Sequence, residues 1–521
     1  MASPLQPGVQ FPRDERGHHG STRTAQAILG AALEHADPSA AEALRTEGDW
    51  RRRYPRHLVA LTRAGAQDGA LAVAMARTAL DEVTRRFEFV RANRTLPLAE
   101  AMRSATAIAG AGLATLERRG GGSPAPAPWG LPHGGRLLQG NEARDLIGRW
   151  RERGLCEPGH ADALWRVLDH PEWFDLSDRT LALLGAASEA GPLRWLAQWR
   201  ANLVLVDLPR ADLWQRLAGV IDAGNAVAWA PLRPDASARM TRDPWLAAGA
   251  DLLTDTPEIA AWLTDLPGAG ALDVGAIAYA DGERHVRVSV AMDAIAGAVV
   301  AARPGSSRMA MATPTDAFAV PEAVALDAMR QWNERDGWAR AAGAPLRVLS
   351  GGRWLRPHID ALVAPRDRPG PSLGVCDALV VEQGPNYALA KRLQQWRATV
   401  AHADGERMSF NVAPSTRTQS VRKNPAFRAA LDGAHRFGIE VCEPATTNAL
   451  MAALWVHDLR HGPVLGPGAH PLEVLTVQAH HGGLWRMGYL PRSALPLAAL
   501  LGLASPGGGA AAYAGPARAL P

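Results

Sequence analysis

The chain has 521 residues, more than a single hydrophobic core organises, so two or more structural units are expected. Apolar residues make up 47% and charged residues 21%, a globular balance that excludes a wholly disordered chain. The net charge of +4 is small for this length and the basic residues are scattered, so nucleic acid is not an expected partner.

Residues 1–25 are rich in Pro, Gly, Arg and His without periodicity and read as a disordered arm. Residues 26–118 place apolar side chains at helical spacing, as in Leu71 to Arg77 and Leu80 to Phe87, and read as a helical region. The Gly and Pro content from Gly120 to Pro128 cannot continue a helix, so residues 119–136 are taken as a Gly/Pro linker. Residues 137–178 carry two more helical segments, at about 141–154 and 158–169, that lead into the main domain.

The main domain is placed at 179–440. Thr180 to Gly185 is a short apolar strand ending in glycine, Pro192 to Trp199 a helix, and Asn202 to Asp207 a second strand, which together make a β-α-β unit. Further strands are expected at Ala226 to Ala230, Ala271 to Ala278, Arg308 to Thr313, Ala378 to Glu382 and Met408 to Val412. Helices between most of them imply an α/β fold, a doubly wound parallel sheet covered on both faces, with an N-terminal helical region. Residues 441–504 read as a C-terminal extension able to serve as a substrate lid, and 505–521 as a disordered tail of low complexity.

Cys156, Cys376 and Cys442 lie far apart without a CxxC pair, which points to a reducing compartment and offers no metal site. Met1 to Gly20 lacks an apolar targeting core, and no apolar run reaches the roughly 18 residues that span a bilayer, so a cytoplasmic protein without membrane contact is expected. His470, His480 and His481 fit no common metal spacing and read as surface histidines. Trp50, Trp150, Trp165, Trp173, Trp195 and Trp199 fall at helical apolar positions and read as core.

After the first strand, Gly185-Ala186-Ala187-Ser188-Glu189-Ala190-Gly191-Pro192 runs into the expected helix. Such a turn lets backbone N–H groups and the helix dipole face a pyrophosphate, although a tight strand-to-helix turn needs glycine for packing as well. Asp207, at the end of the second strand, is placed to accept from a ribose 2′-OH and would repel a 2′-phosphate, which favours NAD over NADP. Arg194 and Arg210 flank this region and could pair with a phosphate or lie in solvent.

Tyr387 and Lys391 share one face of a helix at i, i+4 spacing. Five tyrosines and two lysines in 521 residues make such a pair an accident only about 0.02 of the time, and arginine would serve a surface pairing equally well in so arginine-rich a chain. A phenol with a pKa of about 10 needs a nearby cation to exchange protons at neutral pH, and a lysine one turn away supplies it.

Together these features resemble the short-chain dehydrogenase/reductase superfamily, whose signature is a glycine-rich turn after the first strand and a later YxxxK. Asn411 to Thr418 resembles the family's NPGxxxT segment, with Ala413-Pro414 in place of Pro-Gly and Thr418 as the closing threonine. The resemblance spans about half the chain and implies a Rossmann-like domain that binds NAD or NADP. It places Gly185, Ala187, Ser188, Glu189, Gly191, Asp207, Lys391, Pro414 and Thr418 at the cofactor. It implies hydride transfer to or from a small-molecule carbonyl or alcohol, with Tyr387 as acid/base and Lys391 lowering the phenol pKa and holding the ribose.

The family's serine has no clean counterpart. Thr313 and Thr315, at the end of an expected strand, are preferred over Ser372 because a hydroxyl there points into the cleft; this implies an insertion of about 60 residues before Tyr387. Ser289 or Asp293 lies near the place of the family's helix asparagine. Homo-oligomers through sheet-flanking helices are common in the family. The thinned glycine loop and absent serine leave an alternative, a degenerate dinucleotide-binding sensor or interaction protein without turnover.

Overall fold

Apolar runs of four to six residues, too short for helices, build the central sheet of the computed structural model. It describes residues 6–504 apart from 14–18, 93, 105–111, 240–242, 269, 336, 368–369, 463–464 and 467. The parallel strands are β1 (Thr180–Leu184), β2 (Asn202–Val206), β3 (Val227–Leu232), β4 (Asp273–Ala276), β5 (Ser307–Ala312) and β6 (Met408–Val412). They lie in the order 3-2-1-4-5-6, with Ala182 of β1 opposite Val204 of β2 and Val274 of β4. This is the doubly wound order, whose direction reverses between β1 and β4. An edge strand, Ala114–Arg119, pairs antiparallel with β3.

Alternation along β1 and β2 sorts the side chains onto two faces. Ala182, Leu184, Val204 and Val206 pack against the N-terminal helices and the helices Glu283–Ala302 and Gly384–Ala403. Leu181, Leu183, Leu203 and Leu205 pack against Gly140–Glu152, Pro158–Asp169, Ala211–Asp222 and Pro444–Arg460. Both layers are buried, as expected for a parallel sheet.

Several expectations are corrected. Part of the arm at 1–25 is ordered: Gly8–Gln10 pairs antiparallel with Glu88–Arg91, Val9 and Phe11 are fully buried, and a helix begins at Ser21. The region at 26–118 is not all helix, since Arg94–Pro97 joins that small sheet and Ala114–Arg119 joins the central one. The linker at 119–136 is fixed to the sheet edge, where Gly120 and Gly122 N–H donate to Ala226 and Gly224 carbonyls. Its last residues enter a hairpin that turns at Gly134-Gly135, both with positive φ.

Ala378 to Glu382 is not a strand. The strand there is Leu373–Asp377, antiparallel to Ala317–Pro321 and Leu362–Val363 in a separate sheet, and the apolar residues after it descend buried into the cleft. The helix expected at Pro192 to Trp199 is a single turn, Leu193–Leu196, soon ended by Arg200 in the left-handed region. Within the extension at 441–504, Pro444–Arg460 is a buried core helix, and Pro491–Ala504 packs on Pro425–Gly433 beside the cleft. The tail at 505–521 lies outside the described residues.

His470, His480 and His481 are buried, not surface residues. His481 Nε2 lies 3.1 Å from Glu157 and its ring stacks on Trp485, while His480 meets Trp150 edge-on at 4.8 Å. Glu157 satisfies His481, whereas neither ring nitrogen of His480 has a hydrogen-bond partner among the described residues and burial holds that ring neutral. Among the described residues one helix, Glu283–Ala302, is long and apolar enough by length and composition to cross a membrane, contrary to the expectation that no such run exists. It packs between Thr256–Thr264 and Gly384–Ala403 and carries Asp293, paired with Arg397 at 2.7 Å.

Candidate active site

A cavity of about 790 Å³ opens at the carboxyl ends of β1, β4, β5 and β6. Ligands of doubly wound sheets bind at this reversal of strand order. Gly185 follows β1 with φ +93, and a Cβ there would collide with the backbone of Ala278 just past β4, so glycine keeps the switch point tight.

The loop after Gly185 is closed by its own bonds. Ser188 N–H donates to Gly185 O and Gly191 N–H to Ser188 O. The Asp207 carboxylate accepts from Ala187 N–H and Leu208 N–H, each at 2.8 Å. Burial raises the Asp207 carboxyl above its ordinary range, opposed by those two bonds and by Arg216 and Arg210. Glu189 accepts from Gln419 N–H at 2.8 Å, which ties the loop to the segment after β6. The helix dipole expected at this end is not available, because the helix that follows is one turn long.

At the other end, Tyr387 and Lys391 stand on the first turns of Gly384–Ala403, which starts with Gly384 at φ +81 and Pro385. Lys391 Nζ donates to Met311 O at 2.9 Å and Gln394 Oε1 at 3.2 Å, and lies 6.0 Å from the centre of the Tyr387 ring. Burial pulls its pKa down to about 8, partly offset by Asp316. Against the effect of burial, the Thr313 hydroxyl lowers the Tyr387 pKa, and the Thr313 and Thr315 hydroxyls are 2.8 Å apart.

The expectation that Lys391 lowers the phenol pKa is not met. Burial drives Tyr387 well above its ordinary value, the Thr313 hydroxyl works against it, and Tyr279 and Asp316 add to the rise. The ammonium is anchored to Met311 O and Gln394 Oε1.

Of the residues expected at the site, Gly185, Ala187, Ser188, Glu189, Asp207, Thr313, Thr315, Tyr387, Lys391, Pro414 and Thr418 all line this one cavity. Gly191 does not; it packs beneath the loop, where a Cβ would press on Ile277. Ser372, Ser289, Asp293, Arg194 and Arg210 lie outside the wall, and Arg210 pairs with Asp212.

The sequence reading missed two groups. The His285 imidazole stacks on the Tyr387 ring and also meets Tyr279, at 4.9 Å between centroids. Burial first, and the Lys391 charge second, push its pKa down to about 3. Its signal was position: it precedes Ser289, singled out in the sequence, by one helical turn. The second group is Asp316, fully buried beside Thr315, which accepts from Arg392 at 3.1 Å and Gln395 at 2.8 Å and so braces the threonine segment against the Tyr387 helix.

No family model matches the chain, and no curated protein matches it. Among solved structures, one that matches is a nucleoside-diphosphate-sugar epimerase from Pseudomonas aeruginosa, 15% identical, covering 53% of this chain and 68% of that one with a TM-score of 0.25.

Proposed function

We propose that the cleft is the active site of an NAD(P)-dependent oxidoreductase of the short-chain dehydrogenase type, acting on a carbonyl or alcohol. The observation that supports this most is the meeting of Tyr387, Lys391, Thr313 and Thr315 with Gly185 and Asp207 around one cavity at the reversal of strand order.

The residues present fit a dinucleotide. The Asp207 oxygens each accept one backbone N–H and keep lone pairs for a ribose hydroxyl. Lys391 donates two of its three N–H groups within the protein, which leaves the third for the nicotinamide ribose. Pro414 and Thr418, after β6, line the cavity and would border a bound nicotinamide. When bound, that group would supply or take the hydride.

Every other role falls to the chain itself. Tyr387, protonated at neutral pH, gives its proton to the substrate oxygen in the reducing direction and is left as the phenolate, which water reprotonates; in the oxidising direction the phenolate form takes the alcohol proton. Thr313 and Thr315 orient that oxygen through their coupled hydroxyls. NAD is favoured over NADP because the Asp207 carboxylate would face a 2′-phosphate.

The test is dinucleotide binding followed by nicotinamide fluorescence, then turnover of carbonyl compounds by the wild type and by Tyr387→Phe. Retained binding with lost turnover in the variant is expected; no binding by the wild type overturns the reading. A second reading, binding without turnover, is favoured by the one-turn helix after the loop and by the Ala187 N–H already spent on Asp207. Binding with no carbonyl or alcohol consumed would select it.

A further inference from the structure

The cavity has two chemically distinct halves. Its charged lining residues, Glu189, Asp207, Arg216, Asp281, Glu382 and Lys391, come from the sheet-end loops, the helix Ala211–Asp222, and the turn before and first turns of the Tyr387 helix. The half contributed by residues 421–498 has no charged side chain at all among the described residues. Of its two polar members, the Thr447 hydroxyl is 2.7 Å from that of Thr416, and the exposed Asn424 accepts from Phe427 N–H through Oδ1. The rest is hydrocarbon and thioether, with Phe427, Leu431, Phe437, Met487 and Leu495 as the large contributors.

This wall is built to hold its shape. The helices Pro425–Gly433 and Pro491–Ala504 cross so closely that a Cβ at Gly433 would collide with the Ala498 carbonyl, and one at Gly502 with the Ala429 carbonyl. Backbone lies on backbone, so the wall cannot readily swing polar groups inward.

Resting on the oxidoreductase reading, we propose that the substrate is a neutral apolar molecule, a ketone, aldehyde or alcohol carried at the end of a hydrocarbon body. Its oxygen meets Tyr387 and Thr313 at the polar end, and its body lies in the cavity along the wall that the two crossed helices form. A carboxylate or a row of hydroxyls against that wall would give up water for a lining with no charged side chain among the described residues, which costs binding free energy. Each methylene moved from water onto the wall favours binding roughly fourfold.

The test uses the full-length protein and two separate readouts. Nile red is bound to the dinucleotide-free protein and displaced with 2-alkanones from four to ten carbons, a short keto acid and a ketose. The same compounds are then offered as substrates with NADH and NADPH. Displacement and kcat/KM are expected to rise several-fold per methylene, with the keto acid and ketose inert in both. Leu495→Glu, at a half-buried wall position, is expected to weaken alkanone displacement at least tenfold, while Leu495→Phe preserves it and reports that the wall folds. If dinucleotide binds and only the keto acid or ketose is turned over, the inference is overturned and the oxidoreductase reading stands. If alkanones displace the dye but no dinucleotide binds, the oxidoreductase reading fails and the apolar pocket stands.

Discussion

The imidazole of His285 lies against the phenol ring of Tyr387, with centroids 5.5 Å apart and planes 24° from parallel. With its pKa near 3 the ring is neutral across the working range, so it acts on Tyr387 through shape and not through charge. An aromatic pair contributes about 0.5–1.5 kcal/mol beyond area burial, so His285→Ala is expected to lower kcat/KM roughly 2–10-fold without moving the pH profile. His285→Phe, which keeps a flat ring, should recover most of the loss. Steady-state kinetics across pH checks both.

Lys391 sets an alkaline limit. Its pKa of about 8 means that it loses its proton as pH rises through that value, so kcat/KM should fall above about pH 8. Lys391→Arg should move that limb to higher pH, because a guanidinium stays charged. The same shift has a stability consequence of opposite sign. A lysine depressed from 10.5 to about 8 on folding leaves the unfolded chain holding more protons between those values, so this group makes folding more favourable as pH rises through that window. Thermal unfolding of wild type and Lys391→Met at pH 7 and pH 10.5 measures it, with the variant's relative advantage larger at pH 7.

Asp316 and Arg392 form an ion pair in which both side chains are almost fully buried. Removing one partner of such a pair costs about 3–5 kcal/mol, so Arg392→Met should lower the unfolding midpoint in denaturant markedly. Asp316→Asn should do less to stability, since Gln395 and Ala317 N–H can still bond the side chain. Because Asp316 raises the Lys391 pKa, that variant should also draw the alkaline limb of kcat/KM below pH 8. A structural role alone would leave the limb where it was.

Asp207→Ser tests the nucleotide preference. It removes the carboxylate charge and frees Ala187 N–H and Leu208 N–H to bond elsewhere, with Arg216 on the same cavity wall as the nearby cation. Affinity for NADPH relative to NADH is expected to rise about tenfold, read by fluorescence titration.

The strands were legible where the physics is local. Leu181 to Leu184 and Leu203 to Val206 are buried on both faces, so a bare apolar run identifies them. Tyr387 and Lys391 were legible because helical spacing places them together, and Thr313 because it ends a strand. Burial decided by distant partners was not legible: His481 looks like a surface residue until Glu157 and Trp485 are beside it. Gly8–Gln10 shows no periodicity in three residues and is held by Glu88–Arg91, far along the chain. The loop at Gly185 showed its glycine but not that the following helix would end after one turn.

The glycine contacts at Gly433 and Gly502 carry a kinetic consequence. Two rods pressed together without intervening side chains move as one plate; on the proposed function, ligand exchange would then depend on bending at their ends, where Gly438 sits at φ +75. Stiffening that corner would slow product departure and leave the bond-making step untouched.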